Sequence, residues 1–230
     1  MADLPSFRLN KHLALQLGVS RREADNLIAA GDVTVNDKIA ELGGRFNEGD
    51  SILVKGKAIS NSTDYVYLAL HKPTGYVCSR KQQGDHPTIY TLLPEKYHSL
   101  KPVGRLDQNS SGLILLSNDG DFAFQMTHPK FNKVKIYEVM LDKDLEPLHQ
   151  QMISDHGIQL EDGPSKLSLE RLSETNRRNW RATMSEGRNR QIRRTFNSLG
   201  YEVTGLKRTN FGNYSLGDIK PASFDIVDIQ

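Results

Sequence analysis

The chain has 230 residues, 37% of them hydrophobic and 25% charged, and a formal net charge of +2. This suits a soluble globular protein of one large domain, or of a small and a medium one. No apolar run approaches the roughly 18 residues of a membrane span, the opening Met-Ala-Asp-Leu-Pro-Ser-Phe-Arg lacks the apolar centre of a secretory signal, and the single Cys78 excludes an internal disulfide or a thiol cluster for zinc, which fits a reducing cytoplasm.

In chain order, Lys11 to Leu17 reads as a short helix broken by Gly18. Ser20-Arg21-Arg22-Glu23 has capping-box spacing, the serine accepting from the backbone and the glutamate reaching back. Ala24, Leu27 and Ile28 supply an apolar stripe at helical spacing, and Gly31 sits where a C-terminal cap belongs. Val33-Thr34-Val35 alternates as a strand turned by Asn36-Asp37, and Gly49-Asp50 leads into a further strand, Ile52-Leu53-Val54. Gly56 to Asp64 is polar and reads as a linker, so the expected domains are 1–60 and 61–230.

This first part resembles the S-four-like RNA-binding domain over Phe7 to about Lys55. The likeness rests on Arg8-Leu9, Ser20-Arg21-Arg22-Glu23-Ala24, Leu27-Ile28, Gly31, Val33, Val35-Asn36 and Gly49-Asp50. It implies RNA as the partner. A helix N-terminus exposes N–H groups and positive dipole. Arg21 and Arg22 add charge at that end, and Arg8 and Lys11 extend the patch. On charge alone, the same arginines also read as solvated surface.

The second part opens with a strand, Tyr65 to Leu70, ended at His71-Lys72-Pro73 because proline cannot continue a central ladder. Leu113 to Leu116 is an apolar run bounded by Asn118-Asp119-Gly120, which opens a helix from Asp121 to Thr127. Lys135 to Asp142 alternates, with Tyr137, Val139 and Leu141 on one face. Leu145 to His156 reads as a helix ended by Gly157. Strands follow near Ile158–Leu160, Lys166–Arg171 and Trp180–Met184. A last helix, Arg190 to Leu199, places Ile192, Phe196 and Leu199 together before Gly200. The mixture has no strict βαβ rhythm, so the fold expected is α+β with a largely antiparallel sheet.

Three stretches carry candidate chemistry. Gly104-Arg105-Leu106-Asp107 puts a carboxylate beside an arginine in a glycine-bounded loop before a buried strand, the place where chemistry is usually mounted. Lys135-Ile136-Tyr137 sets a tyrosine inward. Glu186 to Arg194 is a strand-to-helix turn crowded with arginine, and 171–194 holds eight arginines against Glu174 and Glu186, the footprint of phosphate contacts. Taken singly, Asp107 reads as a turn-capping residue, Tyr137 as a core aromatic and Arg193 as a solvated helix residue. Cys78 reads as a small buried hydrophobe and Trp180 as core. His71, His86, His98 and His128 lack metal-ligand spacing and read as structural.

Taken together, the three stretches resemble the pseudouridine synthases, in the ribosomal-RNA branch that joins an S-four-like domain to the catalytic one. Further matches are His71 to Ser79, His86-Pro87-Thr88, Leu92-Leu93-Pro94, Ser111-Gly112-Leu113, Asn118-Asp119-Gly120, His128-Pro129 and the tail from Leu206-Lys207-Arg208 to Gly217-Asp218. The resemblance implies conversion of uridine to pseudouridine in ribosomal RNA, with no cofactor and no metal. It assigns Asp107 as the catalytic aspartate, Arg193 as its counter-charge and Tyr137 as the residue packed on the base. Whether Asp107 attacks the sugar, adds to the ring or removes a ribose proton stays open at this level. Arg105 would fill the gap left by a flipped base, and Arg188, Arg190 and Arg194 would hold phosphates. The tail looks closer to the large-subunit members. A monomer is the default, and a non-catalytic RNA-binding assembly factor on the same fold is the alternative.

Overall fold

The computed structural model describes residues 6–60 and 64–229, and the chain divides into two compact units, Met1–Tyr65 and Val66–Gln230. In the first, helices Leu9–Gln16 and Arg21–Ala29 pack on a four-stranded antiparallel sheet ordered Lys38–Ile39, Val33–Val35, Ile52–Val54, Lys57–Ala58. The capping box forms in both directions: the Glu23 N–H donates to Ser20 Oγ at 3.2 Å, and the Ser20 N–H to Glu23 Oε2 at 2.6 Å. Asn36 and Asp37 both take the left-handed conformation, φ 48° and 64°, as a tight hairpin turn requires. Leu13, Ala24, Ile28, Val33, Phe46 and Ile52 are buried as one core. The expected linker is corrected at its start. Lys55 and Gly56 turn the chain, and Lys57–Ala58 pairs with Leu53 and Val54 as the edge strand. Residues 61–63 of that stretch lie outside the described residues.

The second unit is built on a nine-stranded sheet. Its main path runs Ser168–Arg171, Asn179–Met184, Lys135–Leu141, Val203–Phe211, Ser111–Ser117, Tyr67–Lys72 and Phe224–Ile226, with Lys101–Val103 and Tyr214–Ser215 alongside. Every pairing is antiparallel except that of Val203–Phe211 with Ser111–Ser117. The Ser111–Ser117 and Tyr67–Lys72 strands are apolar over Leu113–Leu116 and Leu68–Leu70 because both faces are covered there. Leu68, Leu70, Ile114 and Leu116 join Trp180, Phe196 and Leu206 in one core. Ala69, Leu113 and Leu115 join Phe122, Met126 and Phe211 in another.

At the parallel crossing Gly112 has φ +104°, and a Cβ there would stand 2.6 Å from the Arg208 nitrogen. Only glycine fits that approach. The Leu145–His156 expectation is shortened to an α-helix over Pro147–Gln151 that widens into a π turn over Met152–His156. The last helix spans Gln191–Asn197, with Arg190 left-handed at its start, φ 46°. The long Val203–Phe211 strand had no counterpart in the sequence reading. Two register shifts against Lys135–Leu141 explain this, because they break its alternation.

Candidate active site

The loop from Gly104 to Ser110 joins the Lys101–Val103 and Ser111–Ser117 strands and lines an open cavity of about 500 Å³. Asp107, Arg105, Tyr137, Ile192, Leu206 and Arg208 all contribute to its wall. Tyr137 is buried on its strand and also belongs to the larger core, so one side of its ring position serves packing and the other the cavity. Arg105 is exposed at this wall. The Asp107 carboxylate is 33% exposed and lies 3.7 Å from Arg190 Nη1.

Beneath the loop lies Lys72, with no exposed surface. Its ammonium donates to four main-chain carbonyls: Ser110 at 2.7 Å, Asp107 and Pro73 at 3.1 Å, and Gln108 at 3.3 Å. Burial lowers its pKa to about 8, opposed by the negative charge of Asp107. A buried cation is tolerated where its N–H groups are all satisfied. Further bonds fix the same loop: Gly75 N–H to the Gln108 carbonyl at 2.9 Å, Ser110 N–H to the Asp107 carbonyl at 3.0 Å, and Leu106 N–H to Cys78 Sγ at 3.4 Å. Burial raises the Cys78 thiol pKa, so it stays protonated and packs.

Arg193 reaches the loop from the other side, donating to the carbonyls of Asn109 at 2.8 Å and Val203 at 2.6 Å. The ion-pair contact to Asp107 is thus made by Arg190, while Arg193 ties the loop to the neighbouring strand. Burial and Arg190 lower the Arg193 pKa and Asp107 raises it, so the three charges act on one another. Lys72 is the residue that sequence reasoning left without a role. Its signal was a lysine, after His71, at the end of the buried Leu68–Leu70 run of the strand Tyr67–Lys72.

The arginine cluster is less free than its local count suggests, because its acids come from elsewhere in the chain. Arg188 and Arg194 both grip Asp162, at 2.8 and 2.6 Å. The Arg194 hydrogen bond, and then the charge of Arg188, hold that carboxylate below its ordinary range. Arg178 pairs with Asp144 and Arg181 with Glu170. In the first unit, Arg8, Arg21 and Arg22 are exposed and Lys11 is half-buried, with Arg21 donating to Asn10 Oδ1 at 3.2 Å. Trp180 is fully buried. His71 and His98 each sit against a main-chain carbonyl, at 2.7 and 2.9 Å. Among the described residues no group of three His, Cys, Asp or Glu side chains converges to hold a metal.

Residues 66–198 match the model of the RNA pseudouridylate synthase family, and residues 7–52 that of the S4 domain. The chain is 36% identical over 216 residues to ribosomal large subunit pseudouridine synthase B of Bacillus subtilis (strain 168), covering 91% of this chain and 87% of that protein. It is 37% identical over 219 residues to ribosomal small subunit pseudouridine synthase A of Pasteurella multocida (strain Pm70), covering 92% and 91%. A crystal structure of a pseudouridylate synthase, 31% identical, superposes with a TM-score of 0.68 over 96% of each chain. With its catalytic-domain match over residues 66–198 and relatives aligned over nearly its whole length, the chain belongs to the RNA pseudouridine synthase family, among the members that carry an N-terminal S4 domain.

Proposed function

We propose that this chain isomerises a specific uridine of ribosomal RNA to pseudouridine, in the large subunit, with Asp107 as the catalytic carboxylate. The observation that carries this reading is Asp107 itself: fixed main chain, a side chain in the cavity, and Arg190 at 3.7 Å. The reaction breaks the bond from C1′ to N1, forms one from C1′ to C5, and moves the C5 proton to N1. Atoms balance without an external group or a redox partner. Arg190, 3.7 Å from the carboxylate, and Arg193, bonded to the Asn109 carbonyl of the same loop, place positive charge beside Asp107. Tyr137 packs on the uracil. Arg105, exposed at the wall, enters the stack as the uridine leaves it, offsetting a flipping cost of about a few kcal/mol. Arg8, Lys11, Arg21 and Arg22 of the first unit meet phosphates, whereas Arg188 and Arg194 of the second are engaged by Asp162 and Arg190 faces Asp107. The compartment is the cytoplasm, where Cys78 stays reduced.

The large-subunit assignment is supported by the tail from Leu206 to Gly217-Asp218 and by relatives such as the Bacillus subtilis protein. The test is pseudouridine mapping of both ribosomal RNAs from a strain lacking the gene. One position missing from the large-subunit RNA, and restored by the wild-type gene, is expected. A missing small-subunit position would overturn the subunit assignment, and an unchanged map would overturn the reading as a whole.

A further inference from the structure

The Gly120–Thr127 helix runs into the Pro129–Phe131 turn, and the two leave large rings in solvent: Phe124 is 46% exposed and Phe131 38%. These rings are ordered against one another. Their centroids lie 5.7 Å apart at 89°, and the His128 ring lies 4.7 Å from that of Phe124. The Lys130 ammonium stands 5.0 Å from the Phe124 ring and 4.7 Å from the Phe131 ring. Phe122 and Met126 already bury the core-facing side of this helix, so Phe124 is not needed to anchor it. An exposed apolar cluster of this kind marks a contact surface.

Its charge and position identify what it contacts. From Phe122 to Tyr137 the chain carries Lys130, Lys133 and Lys135 and no acid. Among the described residues neither Lys130 nor Lys133 has a carboxylate partner. Thr127, His128, Pro129 and Lys133 also line the Asp107 cavity, so the rings continue the wall of the site. An RNA strand that delivers a flipped uridine to the cavity leaves its neighbours unstacked, and aromatic faces flanked by cations are where unpaired bases stack.

We propose that Phe124, His128, Lys130 and Phe131 form a stacking platform for an unpaired nucleotide next to the uridine held in the cavity. The inference rests on the pseudouridine synthase reading of that cavity. It adds a requirement on the substrate: the target uridine lies in a segment with at least one unpaired neighbour.

The test is fluorescence-anisotropy titration of the full chain with labelled oligouridine, either single-stranded or annealed to oligoadenosine. Three paired variants are compared with wild type at Phe124 and Phe131: both to Ala, both to Leu and both to Tyr. Because the rings are exposed, all three should melt with the wild type. The Ala and Leu pairs are expected to bind the single strand about fivefold to a hundredfold more weakly, with the Tyr pair close to wild type and duplex binding little changed. Wild-type affinity in the Ala pair would overturn the platform. So would wild-type affinity in the Leu pair, which would mark an apolar cover for another protein instead. An Asp107→Asn chain in the same titration keeps the two readings separate, because it should bind normally yet form no pseudouridine. An active Asp107→Asn enzyme would sink the reading of the cavity, whereas a flat result for the phenylalanine pairs would sink the platform alone.

Discussion

The buried ammonium of Lys72 donates to the main-chain carbonyl of Asp107 at 3.1 Å, so the backbone carrying the carboxylate is fixed from the core while its side chain faces the cavity. Lys72→Met should therefore do two things. It removes a charged donor from four carbonyls, at a cost of about 2–4 kcal/mol in stability. It also frees the loop, and a displacement of about 1 Å at a reacting group can lower kcat about a hundredfold. Urea unfolding and single-turnover assays measure the two effects. Full activity in a folded Lys72→Met chain would show that the clamp has no part in positioning Asp107.

The same lysine sets a pH dependence. Its folded pKa lies at about 8 against an ordinary 10.5, so between these values the unfolded chain holds a proton that the folded chain has released. By linkage, this group's contribution to folding stability rises with pH across that window. Activity moves the other way, because neutral Lys72 has lost the charge that grips the loop. Wild-type kcat should fall above about pH 8 while denaturation midpoints do not fall through this group. In Lys72→Met the alkaline fall should be missing from an already low rate.

Gly112 tests the crossing that places Ser111–Ser117 against Val203–Phe211. With φ +104° and Arg208 backbone within 2.6 Å of a new Cβ, Gly112→Ala should destabilise the second unit by about 2–3 kcal/mol or more. Thermal unfolding gives the number. A neutral substitution would mean that the two strands can separate without loss.

How much of this was legible beforehand differs by element. The capping box at Ser20 and Glu23 and the apolar run Leu113 to Leu116 could be read directly, because both patterns are local. The Val203–Phe211 strand could not, since its bulges shift the inward positions to Val203, Leu206, Arg208 and Phe211 and seat an arginine among them. The arginine-rich segment was legible as charge but not as geometry. Asp144, Asp162 and Glu170 stand outside the close-packed run of arginines, and only the fold brings them to Arg178, Arg188, Arg194 and Arg181. Asp107, Tyr137 and Arg105 were all named from motifs, and all line one cavity. Lys72 lies inside the His71 to Ser79 stretch, yet its role depends on four carbonyls that no spacing rule reveals.

That pairing of arginines gives a further expectation. Arg178, held by Asp144, should contribute little to RNA affinity, whereas exposed Arg22 should contribute a phosphate contact. Arg22→Ala is expected to lower the slope of log K against log salt by about 0.7–0.9, and Arg178→Ala to leave it nearly unchanged. Equal slopes for the two variants would mean that ion pairing within the fold does not decide which arginines meet RNA.

The central claim is that Asp107 performs the isomerisation. It is tested most directly by tritium release from ribosomal RNA labelled at C5 of uridine, because that hydrogen must leave carbon when the new bond forms. Wild-type enzyme should release tritium from one site. Asp107→Asn, folded and RNA-bound to the same extent, should release none above background, and release at the wild-type rate would contradict the claim.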